Sequence, residues 1–248
     1  MGASHVIDIW GETVAENGAT SEEVIFFPGA GRDPLSEELI AARGHLLAVA
    51  GGADGRAAAR AFIAALVPAY YAAGGGAEGL RRAVADGEAA VADPVGLEFV
   101  AAAIAGDSLY LARAGGGRAY RVREASVDPL ARATAPTAVA GPTFSLGVPL
   151  RAGDRVVLCS AAPAAAIGDG RPLAYVAEQR APREATTRLI ALARERGAAG
   201  DVSVVVAFVR DAPALGRGRV AALLALAAAA VAAVGWLAWE LFRFWQAG

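Results

Sequence analysis

The sequence contains no lysine, one cysteine and two histidines among its 248 residues. All 23 basic residues are scattered arginines and are balanced by 25 acidic residues, so no basic block could follow a nucleic-acid backbone. The single Cys159 excludes an internal disulfide, and His5 and His45 lie far from it in sequence. The sequence therefore predicts no nucleic-acid partner, no disulfide framework and no Cys/His zinc site.

Charge is also absent from one long run near the C-terminus. Residues 220–239 include no charged side chain, and a helix of 20 residues spans about 30 Å, the hydrocarbon thickness of a bilayer. A buried core helix is the alternative, but such helices rarely remain uncharged on every face. We therefore predict a transmembrane helix over residues 220–242, preceded by a short linker at 211–219 and followed by a tail at 243–248.

The flanks of this run predict its orientation. Arginines precede the run and aromatic side chains, which favour the membrane interface, crowd its far end; the predicted interface residues are Arg217, Arg219, Trp236, Trp239 and Trp245. By the positive-inside tendency, the long N-terminal part is expected in the cytoplasm. The expected topology is single-pass and tail-anchored, with the lipid bilayer as one partner.

Residues 1–210 are expected to form one folded domain. Short apolar runs bounded by glycine, proline or acidic residues predict strands at 6–10, 24–27, 45–50, 98–105, 108–114, 118–123, 154–160 and 202–209. Apolar residues at helical spacing predict helices at 56–73, 78–92 and 184–196. Two helices follow the third strand and one precedes the last, without regular alternation. This order favours an α+β fold with packed antiparallel sheets and helices outside, over a doubly wound parallel sheet.

Four segments in this order resemble the motifs of the metal-dependent serine/threonine protein phosphatases of the PPM, or type 2C, family. Residues 46–55 are similar to that family's V-A-D-G-M-G-G strand and turn, and residues 98–120 to its hairpin ending in G-D-S-R-A-Y. Residues 150–162 are similar to L-x-x-G-D-x-x-L-L-C-S-D-G, and residues 200–206 to D-N-I-T-V-V-V. The resemblance implies a β-sandwich of two antiparallel sheets flanked by helices, in α-β-β-α layers.

The resemblance also implies a site, because carboxylates at these strand ends hold two divalent metals in the family. Residue by residue, the family's aspartates fall on Gly51, Ala161 and Gly200, and the aspartate of G-D-S-R falls on Gly116. Glycine and alanine offer a hard cation no side-chain oxygen. No catalytic residue, metal or other cofactor is therefore expected, and Cys159 is expected to be a small buried core residue.

A metal-binding alternative stays open. Glu37-Glu38 occupies the place of the family's early N-E-D motif, and Asp54 and Asp201 lie close in sequence to two of the lost positions. On this alternative, Glu38, Asp54 and Asp201 would hold Mg²⁺ or Mn²⁺ and support residual activity.

Three functions follow from these patterns. The first is a membrane-anchored pseudophosphatase that acts as a cytoplasmic binding or regulatory module for an unidentified kinase, phosphoprotein or membrane protein. The second is a residually active serine/threonine phosphatase. The third is a structural subunit whose membrane helix assembles with others.

Overall fold

The computed structural model describes residues 5–16, 22–27, 38–39, 42–52, 56–92, 96–130, 142–168 and 170–211. The predicted transmembrane helix at 220–242, most of its linker and its interface residues lie outside these ranges. Within the ranges, we find no helix with the length and apolar character needed to cross a bilayer.

Ten strands in the described residues form two five-stranded sheets. The strands are β1 (His5–Val14), β2 (Glu23–Phe27), β3 (His45–Gly52), β4 (Leu97–Ala105), β5 (Ser108–Ala114), β6 (Arg118–Arg123), β7 (Ser126–Pro129), β8 (Thr143–Pro149), β9 (Arg155–Cys159) and β10 (Val202–Asp211). One sheet has the order β1-β10-β9-β6-β7 and the other β2-β3-β4-β5-β8. Most neighbours are antiparallel pairs, including β3 with both β2 and β4, and β9 with both β6 and β10.

Helices cover the outer face of each sheet. Helices α1 (Arg56–Ala72) and α2 (Gly76–Ala89) bury Phe62, Leu66 and Leu80 against the β3 and β4 side chains of the second sheet. Helix α3 (Ala161–Ile167), a 3₁₀ helix (Arg171–Glu178) and α4 (Pro182–Glu195) cover the first sheet. A third apolar layer, with Val49 and Leu158 among its members, fills the space between the sheets. The molecule therefore has the predicted α-β-β-α layers.

Strand alternation explains this layering. In β4, Phe99, Ala101 and Ala103 pack on the helical side, while Val100, Ala102 and Ile104 pack between the sheets. Successive side chains of a strand point to opposite faces, so a strand buried on both faces is an uninterrupted apolar run. This is why residues 98–105 and 202–209 are recognisable from the sequence as buried strands.

The structure corrects the predicted elements in two places. Between β9 and β10 the chain forms α3, the 3₁₀ helix and α4, where the sequence predicted one helix at 184–196. Strands β7 and β8 were not predicted at all. Both are edge strands, and each ends at a proline, Pro129 and Pro149, a residue that central strands exclude.

Candidate functional site

A small polar pocket forms where the ends of β3, β4 and β9 meet. Its volume is about 50 Å³, and it is lined chiefly by Glu22, Gly51, Glu98, Gly117, Ser160 and Ala161. Gly51 lies in β3 directly opposite Glu98 in β4. Ala161 is the first residue of α3, just after β9 ends. The fold thus brings together two of the three predicted aspartate positions, Gly51 and Ala161.

Neighbouring groups already occupy the space beside Gly51 and Gly116. A Cβ atom built on Gly51 would lie 2.9 Å from Cγ of Glu22, which is closer than real Cβ contacts allow. A Cβ atom on Gly116 would lie 2.9 Å from Cβ of Ala161. A side chain at Gly51 or Gly116 would therefore require its neighbour to move.

Gly200, the third predicted position, differs from the first two. A Cβ atom there would meet nothing, but φ is +78°, a conformation that disfavours side chains. The loop is held by Arg194, which donates to the carbonyl oxygens of Ala198, Gly200 and Val14 at 3.0, 2.7 and 3.1 Å. The Gly200 amide donates to Glu16 at 2.9 Å. Gly200 therefore serves the turn into β10 and its attachment to β1.

Glu22 and Glu98 are the two carboxyl groups that line the pocket, and Glu22 has the shifted pKa. Burial raises its pKa to about 7; hydrogen bonds from Ser203 and Ser160 oppose the rise, and the nearby carboxylates of Asp201 and Glu98 add to it. A carboxyl group with such a pKa is largely protonated at slightly acid pH and only half ionised near neutrality. At this position the chain therefore has a carboxyl group that holds its proton unusually well.

Hydroxyl groups connect Glu22 to the neighbouring strands of the first sheet. The Ser203 amide donates to Ser160 Oγ at 3.2 Å, and the Ser160 amide donates to the Ser203 carbonyl at 3.0 Å. The hydroxyls of Ser203 and Thr13 are 2.8 Å apart. Glu22 is thus fixed by a polar cluster that spans β1, β9 and β10.

Glu98 and Arg113 support the glycine loop between β5 and β6. A Cβ atom on Gly115 would lie 2.5 Å from Cγ of Glu98, so the loop backbone rests on that side chain. The buried Arg113 guanidinium donates to the Gly117 carbonyl at 3.1 Å, and burial together with the charge of Arg118 lowers its pKa. The glycines allow the loop backbone to lie close to these two side chains.

Cys159 is buried in β9, as expected. Its thiol donates to the Arg118 carbonyl at 3.7 Å, and burial raises its pKa to about 12. A nucleophilic cysteine needs a lowered pKa. The thiol is therefore a core group.

Two of the three alternative metal ligands, Glu38 and Asp201, lie in the described part of the chain. Asp54 lies outside that part, and Glu38 lies in a two-residue helical segment. Asp201 accepts a hydrogen bond from the Glu16 amide at 3.3 Å. Across the described residues, no group of three or more His, Cys, Asp or Glu side chains is arranged to hold a metal ion.

The residues present fit a Mg²⁺ or Mn²⁺ pair poorly. Such cations need several anionic oxygens to offset their dehydration. The pocket offers two carboxyl groups, Glu98 and the readily protonated Glu22, while Gly51 and Ala161, which the motifs align with aspartates, supply no side-chain oxygen. The space that a ligand at Gly51 would occupy is filled.

Sequence reasoning missed Glu22. It assigned the early acidic motif to Glu37-Glu38, whereas the structure places Glu22 beside Gly51 and pairs the next residue, Glu23, with Ala50. The available signal was an acidic pair immediately before the apolar run of β2. Glu37 lies outside the described residues.

No protein-family profile and no curated protein matches the chain. Several solved structures do match it. The catalytic domain of the serine/threonine protein phosphatase PstP, solved with two manganese ions, shares 26% identity at a TM-score of 0.66, covering 84% of this chain and 100% of that one. PstP/Ppp of Mycobacterium tuberculosis shares 24% identity at a TM-score of 0.65, covering 82% and 99% of the two chains.

A third solved structure has a similar fold at lower sequence identity. The phosphatase domain of SpoIIE from Bacillus subtilis shares 13% identity at a TM-score of 0.64, with 85% of this chain and 66% of that one covered. The two antiparallel sheets and their flanking helices agree with these structures. The chain is therefore similar in fold to the PPM-type, or type 2C, serine/threonine phosphatase domains.

Proposed function

We propose that this chain is a membrane-anchored pseudophosphatase, which uses a phosphatase fold without a working metal centre as a binding or regulatory module on the cytoplasmic face. The observation that carries the proposal is the contact between Glu22 and Gly51. The family position that needs an aspartate carries no side chain, and Glu22 fills the adjacent space.

The chemistry of the pocket supports the same conclusion. The family's reaction depends on metals that generate a hydroxide and neutralise the phosphoryl oxygens. Glu22, Ser160 and Ser203 instead form a hydrogen-bonded cluster whose carboxyl group has a pKa of about 7. Such a cluster stabilises strand ends, and it offers no strong cation site.

The membrane part of the proposal rests on the sequence. The uncharged run at 220–239, with arginines before it and tryptophans at its far end, has the length and flanks of a single crossing. The described domain ends at Asp211, the last residue of β10. Membrane attachment would place the binding module beside partners at the bilayer.

Phosphoester hydrolysis tests this proposal. The full-length chain, purified in a non-ionic detergent, is assayed with para-nitrophenyl phosphate and a phosphothreonine peptide in millimolar manganese. The PstP catalytic domain serves as the positive control. We expect no turnover above the buffer rate. Manganese-dependent turnover that Asp201→Ala abolishes would instead support the residually active phosphatase.

A further inference from the structure

A second concave surface lies between the 3₁₀ helix and α4. Its volume is about 510 Å³, and it is lined by Pro172, Tyr175, Gln179, Arg188, Leu192 and Arg196. We call it the α4 groove. It shares no lining residue with the small polar pocket at the ends of β3, β4 and β9. A ligand in the α4 groove would therefore bind independently of any metal in that pocket.

The α4 groove lies in a basic part of an otherwise slightly acidic chain. Residues 171–196 contain six arginines and three glutamates, whereas the whole chain has a net charge of −2. Arg188 and Arg196, the two arginines that line the groove, are both exposed. Charge complementarity therefore favours an anionic occupant.

Three lining residues form a stripe along α4. Arg188, Leu192 and Arg196 follow one another at intervals of four, so they share one side of the helix and its end. At about 1.5 Å of rise per residue, the two arginines are roughly 12 Å apart along the axis. An elongated anionic ligand can pair with both arginines and cover the apolar Leu192 between them.

An extended peptide matches this spacing. Alternate residues of an extended chain point to the same side, and the first and fifth are about 13 Å apart. A segment with acidic residues at positions one and five and an apolar residue at position three would therefore present acid, apolar and acid groups to Arg188, Leu192 and Arg196.

Tyr175, one of the lining residues, offers an additional donor. Its phenolic oxygen is buried and has no hydrogen-bond partner among the described residues. Burial raises its pKa, so the hydroxyl keeps its proton and can donate. A peptide carbonyl oxygen over the groove would satisfy this group.

One intramolecular contact competes with such a ligand. Arg188 Nη1 lies 3.6 Å from Glu195 Oε1, and their side chains are 59% and 58% exposed. Exposed pairs of this kind are weak. A ligand carboxylate can replace Glu195 at little cost.

We propose that the α4 groove binds a partner protein through an extended acidic segment of the pattern acid-x-apolar-x-acid. The proposal goes beyond the pseudophosphatase assignment, since it holds whether or not the domain hydrolyses phosphoesters.

Fluorescence anisotropy with a labelled peptide containing Glu-Thr-Leu-Thr-Glu tests it, using the full-length chain in non-ionic detergent. We expect saturable binding that Arg188→Gln/Arg196→Gln weakens about tenfold or more. Tyr175→Phe removes only the hydroxyl and should weaken binding about threefold. Glu195→Gln should tighten binding about twofold, because it releases Arg188.

Matched controls separate the groove from general charge attraction. Arg81→Gln/Arg82→Gln removes two exposed arginines of α2 that also have carboxylate neighbours, and it should leave binding unchanged. A Gln-Thr-Leu-Thr-Gln peptide should not bind. Three results would overturn the proposal. The α2 variant could lose as much affinity as the groove variant, the neutral peptide could bind as tightly as the acidic one, or the acidic peptide could fail to bind at millimolar concentration. The proposal would also be overturned if phosphatidylglycerol vesicles bound through Arg188 and Arg196 while the peptide did not bind.

Discussion

The Glu22 side chain lies where any side chain at Gly51 would have to go, with Glu22 Cγ 2.9 Å from the position of a Gly51 Cβ atom. Gly51 is the family's aspartate position by the motif alignment, and Glu22 is held there by Ser160 and Ser203. The absence of a side chain at Gly51 and the packing of Glu22 are thus two parts of one arrangement. Restoring a single carboxylate would disrupt that packing.

The first prediction concerns this contact. Gly51→Ala should reduce the free energy of unfolding by about 1–2 kcal/mol, because the new methyl group overpacks against Glu22. In a Glu22→Ala background the same substitution should cost close to nothing. Urea unfolding of the four proteins of this double-mutant cycle measures the coupling. Equal costs in both backgrounds would show that Glu22 does not restrict Gly51.

The second prediction concerns pH. The pKa of Glu22 is raised from 4.5 to about 7 in the folded chain, so the folded state binds the proton more tightly than the unfolded state. This contribution to stability is complete below pH 4.5 and is lost as pH rises through 7. Between pH 5 and 8 it should fall by about 2 kcal/mol.

Glu22→Gln tests this pH dependence. The amide cannot ionise, so the variant should lose stability less steeply than the wild type between pH 5 and 8 in urea titrations. Glu78→Gln, at a side chain that is 79% exposed on α2, is the matched control and should keep the wild-type slope. Identical slopes for all three proteins would contradict the assignment of the buried proton to Glu22.

The third prediction concerns the ion pair that joins β6 to the turn before β9. Asp154 is fully buried, accepts two hydrogen bonds from Arg123 at 2.6 and 2.8 Å, and accepts a third from the Arg151 amide at 2.9 Å. Asp154→Ala should reduce the free energy of unfolding by about 3 kcal/mol, because it leaves these donors without their acceptor.

Asp128→Ala is the comparison for this pair. Asp128 is 45% exposed and pairs with Arg121 at 2.7 Å, and such exposed pairs contribute below about 1 kcal/mol. Chemical denaturation of both variants gives the two costs. A small cost for Asp154→Ala would show that the bidentate pair has little effect on stability.

The fourth prediction concerns the proposed membrane helix. Val231→Arg introduces a charge near the middle of the uncharged run, at a cost of about 2.5–3.5 kcal/mol for insertion. We expect the variant to shift from the membrane to the soluble fraction after alkaline carbonate extraction. Val231→Leu should remain in the membrane fraction. Release of the wild-type chain by carbonate would contradict the proposed anchor.

Much of the fold is predictable from the sequence because most strands are buried on both faces. Residues 98–105 and 202–209 are continuous apolar runs, and Gly106-Asp107 sits at the tight turn between β4 and β5. Strands β7 and β8 are not predictable in this way. They are edge strands, and their polar residues, together with Gly147 in β8, resemble loop sequence.

The site was only partly predictable. The positions of Gly51 and Ala161 follow from local motifs, but their neighbour Glu22 depends on how β2 pairs with β3. Two acidic pairs, at residues 22–23 and 37–38, could supply that neighbour. The second is closer to Gly51 in sequence, and only the strand pairing shows that the first lies beside it.

Metal binding tests the central claim most directly. The melting temperature of the full-length chain is measured with and without 10 mM manganese, alongside the PstP catalytic domain. A metal at 100 times its dissociation constant would stabilise the fold by about 2.7 kcal/mol. We predict no manganese-dependent rise for this chain and a clear rise for PstP. A rise that Asp201→Ala or Glu22→Gln removes would contradict the account, because it would show that the pocket still holds a metal.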